Sequence, residues 1–119
     1  KFISNVKLHL DKNDIKKGDG NLIVDTLRRG SNIHTLTLSH NKFKPIEFIA
    51  ILDALQHHTS LNTLVLDYSY KPTNDKGITE AVGTSLALLV NQNRNIKALS
   101  IAGTYKSIIN SFFSKLSTS

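Results

Sequence analysis

Four pairs of apolar residues standing two apart recur at regular spacing along the chain: Leu8 and Leu10, Leu36 and Leu38, Leu64 and Leu66, Leu99 and Ile101. The first members of successive pairs are separated by 28, 28 and 35 residues. A polar residue follows each pair at a fixed distance, namely Asn13, Asn41, Ser69 and Thr104. In three copies an apolar residue lies three before the first member (Ile33, Leu61, Ile96); the first copy has Asn5 there and Val6 beside it. Alternation with a period of two predicts a short strand at each pair. Behind each strand the period changes. Leu22, Ile23, Thr26 and Leu27 follow a Gly18-Asp19-Gly20 breaker, and Pro45 at a first helical position opens Ile46, Ile49, Leu52 and Leu55. Ile78, Val82, Leu86 and Leu89 form the third such run, and Ile108, Ile109, Phe112, Phe113 and Leu116 the fourth. The third copy carries about seven extra residues, and Lys71-Pro72-Thr73 predicts an exposed, extended loop there.

Strand, loop and helix repeated in one direction require crossover connections, so the strands are parallel and the crossovers right-handed. No unit buries its apolar face alone, so the units stack in one dimension. Helices are roughly 10 Å across and strands about 4.8 Å apart, so helices on one side bend the stack and leave the strands on its concave face. The expectation is an α/β solenoid forming one domain over residues 1–119, with repeats at about 1–30, 31–58, 59–93 and 94–119. Phe2 and Ile3 have no preceding unit to pack against. Either a capping segment precedes them or that edge pairs with another chain, and the sequence is read as part of a longer protein.

The pattern Ile33-x-x-Leu36-x-Leu38-x-x-Asn41 with its 28-residue period resembles a leucine-rich repeat of the ribonuclease-inhibitor-like class. Ser69 and Thr104 depart from the asparagine of that pattern, and the cysteines frequent in the class are absent. The resemblance implies a solenoid whose Asn13 and Asn41 turn inward to satisfy backbone groups where each strand bends away.

Composition narrows the class of function. Apolar residues make up 39% and charged residues 20%, an ordinary globular balance, and no apolar run approaches the roughly 20 residues that span a bilayer. With no cysteine there is neither a disulfide framework nor thiolate chemistry. The net charge of +6 raises the question of polyanions, since no acidic residue follows Glu80 while Arg94, Lys97, Lys106 and Lys115 do. The cations are spread along the chain, however, and the Arg28-Arg29 doublet falls where a helix ends and complements its dipole. Nucleic acid and membrane are therefore not the expected partners.

Stacking brings equivalent positions of successive units together in columns. One column reads His9, Thr37, Val65 and Ser100; the next ones read Asp11, Ser39, Asp67 and Ala102, then Lys12, His40, Tyr68 and Gly103. Beyond the asparagine position come Asp14, Lys42, Tyr70 and Tyr105. The three tyrosines thus gather on one rim, and His40 is expected beside Tyr68. Tyrosine is enriched at interface hot spots, so the expected partner-binding residues are His40, Asp67, Tyr68, Tyr70, Tyr105, Thr37 and His9. A tyrosine on such a loop equally packs down on its own repeat.

Ser39, His40 and Asp67 are the residue types of an acyl-transfer triad, but adjacent strand residues point apart and no oxyanion loop accompanies them. His57-His58 lacks the spacing of three or four that metal ligands on a helix need. The glycines at 18 and 20 do not complete a phosphate loop. The expectation is a protein without catalytic, metal or cofactor site that recognises a protein partner. A sensor or autoinhibitory segment of a larger multidomain protein is the alternative, and polyanion binding is a third. The Asn-, Lys- and Ile-rich composition also resembles that of repeat proteins which intracellular bacteria deliver into host cells, which implies a cytoplasmic or host-cytosolic location.

Overall fold

The computed structural model describes residues 6–9, 19–29, 32–41, 43–68, 75–102 and 112. Among these the elements alternate without exception: β1 (Val6–His9), α1 (Asp19–Arg29), β2 (Ile33–Thr37), α2 (Pro45–Leu55), β3 (Thr63–Val65), α3 (Lys76–Gln92) and β4 (Ala98–Ser100). The strands form one parallel sheet in chain order. Its register is the one the leucine spacing predicts: Leu8 pairs with Leu36, Leu36 with Leu64, and Leu64 with Leu99. A one-residue slip in any pairing would turn the leucines to the wrong face, so the period of the sequence and the register of the sheet are one constraint.

Helices form a second tier in the same order, α1 against α2 and α2 against α3. Between the tiers lies the core. Leu36, Leu38, Leu64 and Leu66 come from the strand side, and Phe48, Ile51, Leu52, Leu55, Val82, Leu86 and Leu89 from the helices. Phe43 anchors the loop that leads into α2 and is fully buried; its ring lies 6.5 Å from that of Phe48. Phe112 joins the same cluster.

Two helix readings are corrected here. The Gly18-Asp19-Gly20 breaker does not end before the helix, because Asp19 and Gly20 belong to α1. Gly20 serves close approach instead: a β-carbon there would stand 3.1 Å from Glu47 Cβ on the neighbouring helix. In α2 the buried stripe is Phe48, Ile51, Leu52 and Leu55, and Ile46 is 79% exposed. That helix is apolar on most of its circumference, so spacing alone cannot select its phase. Contact with α1 on one side and α3 on the other does.

The returns from helix to strand are built on buried polar side chains. His58 and Asn93 each stand six residues before the first leucine of the following strand, at equivalent places in successive units. His58 Nδ1 accepts from the backbone N–H of Ser60 at 3.4 Å and of Leu61 at 3.2 Å. Asn93 Oδ1 accepts from Asn95 N–H at 3.0 Å, while its Nδ2 donates to the carbonyls of Leu55 (2.7 Å) and His58 (2.8 Å). A helix end leaves carbonyls without intrahelical partners, and Asn93 supplies one from the next unit.

Candidate functional site

The rim at the carboxyl ends of β2 and β3 is where the repeat brings polar and aromatic residues together. The ladder continues past both strands: Leu38 N–H donates to Val65 O and His40 N–H to Asp67 O, each at 2.9 Å. In the next unit Leu66 N–H donates to Ser100 O at 2.7 Å and Tyr68 N–H to Ala102 O at 2.9 Å. The chain must then turn under the sheet to start a helix. In these two units it does so through a left-handed residue, His40 with φ 59° and Tyr68 with φ 56°. Non-glycine residues visit this region at a cost of roughly 1 kcal/mol or more.

These two left-handed residues meet. Their rings stack with centroids 5.1 Å apart and planes inclined by 15°. Tyr68 is 55% exposed and His40 is also on the surface. The next residue in the pattern turns inward as the motif requires: Asn41 is 2% exposed and its Nδ2 donates to Leu38 O at 3.0 Å.

Asp67 is partly buried and acts within the chain. Its Oδ1 accepts from Ser100 Oγ at 2.6 Å and from Ala102 N–H at 2.7 Å, which ties β4 to the end of β3. The carboxylate therefore holds the strand that receives the Tyr68 N–H. Asp67 Oδ1 is thus engaged by groups of the next unit, and the His40 ring stacks on Tyr68.

The column positions differ from expectation in one respect. Thr37 is among the expected partner-binding residues, but it is only 9% exposed, and Ser39 in the neighbouring column is 7% exposed. Short side chains in the middle of a sheet are overlaid by their neighbours in adjacent strands, which exposure by parity ignores. Val65 and Ser100 in the same column are half-buried. His9 lies in β1 opposite Thr37. Tyr70 and Tyr105 fall outside the described residues, as do most of the extra residues of the third unit and, apart from Phe112, the helix expected over Ile108–Leu116.

Elsewhere, a depression of about 320 Å³ lies at the far ends of α1 and α2, lined by Leu27, Arg28, Asp53, Ala54, His57, His58 and Thr59. Sequence reasoning weighed His58 only as a metal ligand and passed over Asn93. The signal available for both was their shared offset from the strand leucines.

No protein-family model and no curated protein sequence matches the chain. Among solved structures it is similar to the tropomodulin C-terminal domain of Caenorhabditis elegans, with a TM-score of 0.65 and 10% sequence identity over 92% of this chain. The chain spans 63% of that structure's length. At such identity the likeness is one of fold, and the fold is leucine-rich-repeat-like. Among the described residues no helix is long and apolar enough to cross a membrane.

Proposed function

We propose that the chain is a non-catalytic protein-recognition module, a right-handed solenoid of four leucine-rich repeats of the ribonuclease-inhibitor-like class. It presents the rim at the carboxyl ends of its strands to a protein partner. The observation that carries this reading is the exposed His40–Tyr68 stack, built on two left-handed turns that the sheet holds in register. Large rings with a polar tip, fixed before binding, make contact area at little entropic cost. In this reading Tyr70 and Tyr105 extend the rim, His9 and Thr37 border it, and Asp67 keeps it in shape.

Photo-crosslinking tests the assignment. A benzophenone amino acid placed at position 68 or 40 should yield a partner adduct. The same group at position 22 or 88, both exposed leucines on helices, should not. Equal adducts from helix and rim positions would remove the rim from consideration.

A further inference from the structure

His58 and Asn93 do one job with different chemistry. Each accepts from the backbone N–H two residues on, Asn93 through Oδ1 and His58 through Nδ1, and His58 takes the N–H of Leu61 as well. An amide oxygen accepts whatever the pH. An imidazole nitrogen accepts only while the ring is neutral, here with its proton on Nε2. A second proton, on Nδ1, turns that acceptor into a donor and sets it against two N–H groups.

The segment held in this way ties the sheet together. Leu61 is fully buried, and the next residue, Asn62, bonds to β2 on one side and to the start of β4 on the other. Asn62 N–H donates to His34 O at 2.9 Å, while Asn62 O accepts from Lys97 N–H at 2.9 Å and from Ala98 N–H at 3.1 Å. His58 is buried but lines the depression at the ends of α1 and α2, which opens a route for protons from solvent. Arg28 of α1 and Asp53 and His57 of α2 line it too, and the α3 end contributes the uncharged Asn93. Asp53 and the carboxyl end of α2 draw a proton to the ring, whereas Arg28 and a charged His57 repel one. Whichever prevails, a proton on Nδ1 removes both N–H bonds.

We infer that the return from α2 to β3 is an acid-sensitive joint: a proton on His58 releases residues 60 and 61 and loosens the sheet around Asn62, while the N–H held by Asn93 stays held. The joint is closed at about pH 8 and opens as the pH falls toward about 5, the range in which histidine changes charge.

Amide hydrogen exchange and ring-nitrogen NMR shifts, followed on the intact chain over that range, test this. Protection factors, each referred to the intrinsic rate at its pH, should fall about tenfold for Ser60 and Leu61 as the His58 ring gains its proton. That of Asn95 should stay within about twofold. His58→Asn installs the group that the fold already uses at position 93 and should abolish the fall, whereas His57→Gln and His34→Gln should leave it in place. If His58→Asn does not fold, Ser60 and Leu61 against Asn95 in the unaltered chain decide alone. An equal fall at all three amides, no fall at Ser60 and Leu61 down to about pH 5, or a fall that persists in folded His58→Asn overturns the inference.

Discussion

Asn93 Nδ2 donates to the His58 carbonyl across 2.8 Å, so two residues at equivalent places in successive units are bonded to each other. The asparagine is 3% exposed and bonds Leu55 O as well. Removing it takes a buried donor from both carbonyls, although Leu55 O also accepts from the His58 N–H at 3.2 Å.

Asn93→Ala should therefore cost about 2–4 kcal/mol in urea-induced unfolding. Asn93→Asp should be no better, because it sets a carboxylate oxygen against those carbonyls. A loss under about 0.5 kcal/mol for Asn93→Ala would mean that water replaces the side chain without penalty.

Asp67→Ala should cost about 1–3 kcal/mol, since two hydrogen bonds to one carboxylate oxygen disappear. Asp67→Asn retains an acceptor and should lose less. Hydrogen exchange separates this role from a direct contact: in Asp67→Ala the amide of Ala102 should lose protection, whereas Leu38, bonded to Val65, should keep it.

The His40–Tyr68 stack should show a coupling of about 0.5–1 kcal/mol in a double-mutant cycle with alanine. Either single variant should change stability by about 1 kcal/mol or less, and partner capture should fall far more than that stability change accounts for. A coupling near zero would mean that the rings touch without holding each other.

His34 Nδ1 is a buried atom with no hydrogen-bond partner among the described residues, on a side chain half-buried in β2. His34→Leu should raise stability by about 1 kcal/mol through loss of that unsatisfied group. A clear loss of stability instead would show that the imidazole has a partner in solution.

What the sequence discloses and what it hides follow from range. Spacing of 28 residues places Thr35 opposite Thr63 and Leu36 opposite Leu64, because parity and period are properties of the chain itself. The meeting of His40 with Tyr68 follows from the same register. The phase of α2 does not, since an almost all-apolar helix takes its orientation from two neighbours. Nor does the role of Asp67: the column sets it beside Ala102, but the repeat pattern does not disclose that its carboxylate accepts from that backbone N–H. The burial of Thr37 depends on how far neighbouring side chains lean over a short one, which no pattern of letters records.

Under the proposed function, positions 40 and 68 set foldedness and recognition against each other. Their backbones adopt a conformation in which glycine carries no β-carbon penalty, so a library of variants sorted for heat resistance should enrich His40→Gly and Tyr68→Gly. The hardiest descendants of such a selection would have discarded the two rings first.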